Sequence, residues 1–429
     1  MNKDYLSQKI KFLKDNKKVR DVSILVEFEN KNLTRFAENR IIQNVSKETN
    51  DIYITAFNDK STGTAGTQDI SDESLFRNLR RAEEIALSSP RDPEFVEPLE
   101  PMEIEEVDQY FKKTKELTPK EKAEEINEIK REAVKRRITI AGKYLNGEYF
   151  VGFANSRGHL LTHRSTLAEL SLTAMLEDSS GYAGKADENI DNIEPGSIAD
   201  IAFRKAELGR NPSEIKPGEY PVILEPQAVA DLLPYIVWTM DRRAADEGYV
   251  YFSGRLGEKI VDSTINLYSD PFYPDNPSQP FVSGNGLPLK KTYWINNGIL
   301  KNLHTSRYWA KKKSLEPIGF PTNVILDGGN KSLSQLIGKC VDALLITRLW
   351  YIRYVNRQDL ILTGMTRDGV YQIKDGKVVK AIKNMRFNDN PLRLLDSLIE
   401  LGKVQRVEEY ALLPPVWSRG FKLSSGTLF

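Results

Sequence analysis

"ITIAGKYLNGEYFVGFANSRGHLLTHRSTLAELSLTAMLE", residues 138–177, decides the fold, because it contains two of the three histidines of the chain as "HLLTH" at 159–163. On a helix, His-x-x-x-His would aim both imidazoles at one metal ion. The run is instead rich in Thr, Leu and Ser in alternation and has no capping signal. It reads as strands, with "LNGE" at 145–148 as a hairpin turn. On a strand, residues i and i+4 share a face but lie roughly 13 Å apart. Two imidazoles so placed cannot both reach one zinc at about 2.1 Å. No third ligand or general base stands nearby. His159 and His163 are therefore expected as ordinary surface or groove histidines.

The preceding sequence continues the β pattern. "DVSILVEFEN" alternates Val22, Ile24, Val26 and Phe28 with mostly polar residues, the signature of a half-buried strand. "NLTRFAENRIIQNV" and "DIYITAFN" read as further strands, and "STGTAGTQDISDESL" as a small-residue loop before a helix at 72–88. An amphipathic helix with Leu6, Ile10 and Leu13 on one side opens the chain. Residues 89–117, rich in Pro and Glu, read as an exposed linker. "TPKE" then supplies Thr118 as N-cap, Pro119 at the first helical position and Glu121 as the reciprocal capping-box partner. The helix behind it carries Ala123, Ile126, Ile129 and Ala133 on one stripe, and its many charges read as a solvated face.

After 177, a helix is expected near 198–209, and "PGEYPVILEP" opens a second half. That half begins with a helix around 226–246 and then turns mainly β. Asn297-Gly298 and Asp375-Gly376 are hairpin signals. "ALLITRLWYIRYV" and "DLILTG" read as buried strands, followed by a last helix near 390–401 and an irregular tail. No short-period repeat is visible. The fold class is α+β, with segregated helices and antiparallel strands. It divides into an N-terminal α+β domain over 1–215, with a charged helical insert at about 103–137, and a β-rich C-terminal domain over 216–429.

With 429 residues, the chain is too long for one ordinary core. Its 40% hydrophobic and 28% charged residues exclude disorder. A net charge of +1 gives no support to direct nucleic-acid binding. No apolar run is long enough for a membrane span, and the charged N-terminus is not a signal peptide. The single cysteine, Cys340, excludes an internal disulfide and favours a reducing compartment, so the cytoplasm is expected. Cys340 itself reads as a small buried hydrophobe. No G-x-S-x-G elbow or phosphate loop is present, and "GRLGEK" at 254–259 lacks the rest of a nucleotide fingerprint. His304, in "NLHTSRYWAKKK", is expected on an amphipathic surface helix.

Five blocks, "LTRFAENRIIQN" (33–44), "YFSGRLGEKIVD" (251–262), "NNGILKNL" (296–303), "TRLWYIRYV" (347–355) and "LTGMTRDGVYQIKDGKVVKAIKNMRF" (362–387), occur in order over nearly the whole chain. Together they resemble the TldD/PmbA family, the modulator-of-gyrase proteins also classed as metallopeptidases. The likeness is greatest to the PmbA branch, also called TldE. Active TldD-type members carry H-E-x-x-x-H upstream of the "FSG…GE" block, and a C-terminal cysteine completes the zinc site. Here those positions fall on Leu233, Pro234 and Trp238, and no cysteine follows residue 341. The resemblance thus implies a peptidase fold without catalytic residues, metal or cofactor.

It also implies a subunit that pairs with a TldD-type zinc peptidase and helps enclose unfolded or short peptides. A homodimeric peptide-binding or scaffold protein is the alternative. A third reading, an active peptidase with another metal site, would need His159, His163 or His304 to converge with carboxylates. "TRLWYIRYV" would place Arg348, Trp350, Ile352 and Tyr354 on one strand face and Leu349, Tyr351, Arg353 and Val355 on the other. "GMTRDG" would place Thr366, Arg367 and Asp368 at a turn. Arg348, Trp350, Tyr351, Arg353, Thr366, Arg367 and Asp368 are therefore candidates for a peptide-binding or interface surface. The bland alternative is that the Arg and Asp pair with each other and the aromatics are core.

Overall fold

The computed structural model of the chain describes residues 1–426. Six strands, β1 (Asp21–Ala37), β2 (Arg40–Asn58), β3 (Ser61–Thr67), β4 (Thr139–Asn155), β5 (Leu160–Met175) and β6 (Ser180–Asp187), form an antiparallel sheet in the order β3-β2-β1-β4-β5-β6. The alternation read from the sequence places Val22, Ile24 and Val26 in the core. Around this sheet lie α1 (Lys3–Asn16), α2 (Asp72–Ser88), α3 (Lys112–Glu116), α4 (Pro119–Lys135) and α5 (Pro195–Leu208). The capping box at Thr118 and Glu121 forms as the sequence predicts. On α4 the buried stripe is Lys122, Ile126, Ile129 and Ala133, so a lysine takes the place expected for Ala123.

The sheet is built from one unit used twice. Helix, three strands and helix occur as α1-β1-β2-β3-α2 and again as α4-β4-β5-β6-α5. The same device seats each closing helix. A Cβ on Gly63 would lie 2.2 Å from the Ala82 carbonyl, and one on Gly181 would lie 2.3 Å from that of Ala202. Only glycine lets backbone approach so closely.

The C-terminal part adds β7 (Gly218–Leu224), β8 (Leu267–Ser269), β9 (Thr292–Asn296), β10 (Ile299–Leu300), β11 (Val324–Leu326), β12 (Asp342–Asn356), β13 (Ile361–Lys374), β14 (Lys377–Ala381), β15 (Met385–Asp389), β16 (Leu398–Leu401), β17 (Gln405–Val407), β18 (Ala411–Leu413) and β19 (Val416–Gly426). Its helices are α6 (Pro226–Val237), α7 (Arg242–Asp246), α8 (Arg307–Lys313), α9 (Leu333–Lys339) and α10 (Pro391–Asp396). One sheet runs β10-β9-β8-β11-β18-β17. The other runs β12-β7-β19-β15-β13-β14, and β12 also pairs with β13, so five strands close on themselves. Both faces of β7 are covered. Val222 and Leu224 join the core cluster that contains α6, whereas Ile223 packs with Leu336 and Cys340. That double burial explains the continuous apolar run "PVIL".

Several expectations need correction. "LNGE" is not a turn: Asn146 and Gly147 lie inside β4, opposite Asn32 and Lys31. The Asn146 amide is buried and donates to the carbonyls of Thr114 and Leu117 at 2.9 and 3.0 Å. The real turn sits at Glu38 and Asn39, both with positive φ, inside what reads as a single strand. "STGTAGT" is an edge strand rather than a loop. The helix expected over 226–246 breaks into α6 and α7. The last helix stops at Asp396, and the tail is not irregular, because β19 is inserted between β7 and β15. In the linker, Gln109 and Thr114 are buried rather than exposed. Both Asn297-Gly298 and Asp375-Gly376 do turn hairpins, with positive φ at all four residues.

Candidate functional site

The first sheet and the C-terminal part meet around a cavity of about 520 Å³. One wall is α6. Leu233 and Val237, and Pro234 and Trp238, stand four residues apart and so share a helical face, and all four line the cavity. Pro234 has no N–H to return to the preceding turn, and Trp238 caps the helix end. Leu233 is buried, whereas Trp238 is 59% exposed. The three sequence-marked positions are therefore brought together at one wall.

The opposite wall comes from the first sheet. His163 projects from β5, and burial pushes its imidazole down to about 4, so it is neutral at pH 7. Glu188, just after β6, is held by Arg406 through two bonds of 2.5 Å. It also accepts a hydrogen bond of 3.0 Å from Gln109 Nε2, which reaches the Pro277 carbonyl at 2.8 Å as well. Glu409 and Tyr410 close the side toward β18. The Glu409 side chain is open to the cavity but hemmed in by protein, and this burial together with nearby Glu188 raises its carboxyl above the ordinary glutamate range.

These residues do not fit zinc. Leu, Pro and Trp offer the metal no donor. Among the described residues, no group of three or more His, Cys, Asp or Glu could hold a metal ion. The three histidines do not converge on one. His159 precedes β5 and is fully buried, not superficial; its Nδ1 accepts from the Met102 amide at 3.1 Å and its Nε2 donates to the Gly286 carbonyl at 2.8 Å. It ties the linker to the C-terminal part. His304 lies before α8 rather than on it, pairs by Nδ1 with the Ile318 carbonyl at 2.8 Å, and packs edge-on against Phe320.

The β12–β13 ribbon differs from the simple alternation. Its register shifts between Trp350 and Arg353, where Tyr351 adopts a φ of 56°. This bulge turns Leu349, Ile352 and Tyr354 toward the core, and Trp350, Tyr351, Arg353 and Val355 outward. Nor is "GMTRDG" a turn: it lies within β13. Thr366 is fully buried and accepts from the Met385 amide at 2.9 Å. Asp368 is buried, accepts from Ser180 Oγ at 2.7 Å and meets Arg348 at 3.5 Å. The Arg348 guanidinium lies 4.0 Å from the Tyr182 ring centroid. Arg348 and Asp368 thus tie the ribbon to β6 of the first sheet, whereas the Thr366 bond stays within the C-terminal part. Trp350 and Tyr351 remain 42% and 59% exposed, with Arg367 over Trp350 and Arg353 over Tyr351.

Gln109, Glu188, Arg406 and Glu409 were not singled out by the sequence. Gln109 sits in a stretch that reads as linker, and the other three carry no local motif. Their meeting is a product of tertiary structure.

Paired helix–sheet units joined to a strand-rich C-terminal part, with a cavity at the junction, define an α+β architecture. Models of the PmbA/TldA metallopeptidase family match it in order, domain 1 over 22–86, the central domain over 112–209 and the C-terminal domain over 217–425. The chain belongs to the PmbA/TldD family. A metalloprotease of Methanothermobacter thermautotrophicus is 24% identical over 297 residues, which is 62% of this chain and 62% of that relative. The chain thus spans under two thirds of that relative's length. The metalloprotease TldD homolog of Buchnera aphidicola is 23% identical over 397 residues, covering 83% of this chain and 80% of its own. The crystal structure of TldE from Thermococcus kodakarensis superposes with a TM-score of 0.87 at 21% identity, over 98% of this chain and 100% of that one. At that identity the likeness is one of fold. Among the described residues, no helix is long and apolar enough to cross a membrane.

Proposed function

We propose that this chain is a non-catalytic, PmbA/TldE-like subunit that pairs with a TldD-type zinc peptidase in processing unfolded or short peptides. The observation that carries this reading is the α6 wall of the junction cavity. Leu233, Pro234 and Trp238 occupy it where the family resemblance implies two ligands and a base, and none of them can bind zinc or move a proton. The outward aromatic ribbon at Trp350 and Tyr351 supports a docking role, since exposed Trp, Tyr and Arg are the residue types on which interfaces concentrate their binding energy. The buried single cysteine supports a reducing compartment such as the cytoplasm.

The test is reconstitution. The tagged chain should recover a near-equimolar partner bearing H-E-x-x-x-H. The pair should cleave unstructured peptides in a zinc-dependent way, while the chain alone should not. Recovery of a self-dimer only, by light scattering and pull-down, would sink the pairing. It would leave a homodimeric peptide-binding protein, for which the same ribbon would be the contact.

A further inference from the structure

We infer that the junction cavity of this chain is itself a binding site for a primary ammonium group carried beside an apolar or aromatic side chain, as at the amino-terminus of a short peptide or on a lysine. This inference rests on the cavity alone and holds or fails independently of any pairing with a peptidase.

The size comes first. About 520 Å³ lies within the range of roughly 300–1,000 Å³ typical of small-ligand sites. It accommodates a residue or two of peptide, not a folded protein. The charge is one-sided. None of the residues lining the cavity is lysine or arginine, and the two charged ones are Glu188 and Glu409. Glu188 is neutralised from behind by Arg406. Glu409 has no salt bridge or side-chain hydrogen bond among the described residues and faces the open space. An anion entering here meets two carboxylates and no cation on the lining, whereas an ammonium meets the Glu409 carboxylate, which Arg406 and Lys31 influence from a distance without forming an ion pair.

The second observation is independent of the carboxylates. Gln109 lines the cavity and is only 4% exposed; its Nε2 is fully used, yet its Oε1, itself shut off from solvent, is left without a partner. Buried polar atoms are rarely left so. An ammonium carries three donors and no acceptor. It therefore matches a wall that offers the Glu409 carboxylate and the neutral imidazole of His163, with the unpaired Gln109 oxygen buried among the lining side chains. A metal ion is the poorer match, since no cluster of three suitable ligands forms among the described residues. The remainder of the wall is apolar, with Leu233, Trp238 and Phe320 offering contact to a flanking side chain.

The experiment titrates the full-length chain calorimetrically with phenylalanyl-alanine amide, its N-acetylated form and Nα-acetyl-lysine amide. The free dipeptide should bind, and acetylation should weaken binding by at least about tenfold. Glu409→Gln should cause a similar loss while leaving the melting temperature unchanged. Tighter binding of the lysine derivative would assign the ammonium to a side chain rather than to a chain start, and either source supports the site. Should Glu409→Gln fail to fold, Trp238→Ala, at an exposed position, should lower the affinity by removing the aromatic end. Equal binding of free and acetylated dipeptides, or no binding of any probe up to ~10 mM, would overturn the inference.

Discussion

Replacing Asp231 with asparagine should stabilise the protein above pH 7 and cost it about 1 kcal/mol at pH 4. Asp231 lies on α6, where its carboxylate accepts from the Leu349 amide at 2.7 Å and from Gln227 at 3.2 Å. Burial is the largest influence on it and pushes it from an ordinary 3.8 up to about 7, against the opposing pull of the Leu349 amide and Arg348. The sign follows directly. Below about pH 4 the group is protonated in both folded and unfolded chains, and it costs nothing. Between about 4 and 7 the unfolded chain ionises while the folded one still holds its proton, so stability falls as pH rises. Above 7 the loss is constant. At about 1.4 kcal/mol per pH unit, the interval amounts to about 4 kcal/mol. Asparagine removes that dependence but must re-form its bond with Gln227, which returns about 1 kcal/mol. A net gain of about 3 kcal/mol at pH 8 is expected, read as the difference in urea-unfolding free energy between variant and parent at pH 4 and pH 8. A difference that is the same at both pH values would refute the reasoning, because it would mean that Asp231 ionises normally in the folded state.

Other perturbations test the framework around the cavity. Arg406→Met leaves the buried Glu188 unpaired and should cost about 3–5 kcal/mol, seen as a lowered thermal midpoint; an unchanged midpoint would show that the pair holds nothing in place. Asn146→Ala removes the donor to the Thr114 and Leu117 carbonyls and an acceptor of the buried Lys122 ammonium and should cost about 2–3 kcal/mol, with faster amide exchange in α3, the turn before α4 and the first turn of α4. Gly147→Ala would force a Cβ to 2.2 Å from the Asn30 carbonyl; a loss of about 2 kcal/mol or more is expected, and a neutral variant would contradict the close strand pairing. Trp294→Ala, at a side chain 1% exposed, should cost about 3–5 kcal/mol by urea titration without altering the first sheet.

The class of fold was legible because alternation and capping are local signals. Val22, Ile24 and Val26, and the Thr118–Glu121 box, fell where the residues said they would. What failed depended on distant partners. Asn-Gly makes a turn at 297–298 but a strand interior at 146–147. The difference is the segment around residues 114–117, which takes up the Asn146 amide, and the sequence near Asn146 carries no trace of it. The faces of "TRLWYIRYV" were misassigned because a single bulge at Tyr351 reverses every residue after it. Of the site, the α6 positions were found through a resemblance, and they do share a wall. The polar wall stayed hidden because Gln109, Glu188, Arg406 and Glu409 come from three separate stretches, each of which reads alone as ordinary solvated surface.

The position of β19 governs how the protein can be made. The first sheet pairs strands that are mostly consecutive, so it can form while the ribosome is still translating the remainder. The closed C-terminal sheet cannot, because β19 supplies the strand between β7 and β15, and β16 also pairs with it. Until residues 416–426 leave the exit tunnel, β7 and β15 keep open edges of the kind that recruit other nascent chains. Premature termination late in the message would therefore yield a product with a finished amino-terminal half and an adhesive carboxy-terminal half. A quality-control protease would meet that product more often than one shortened at random.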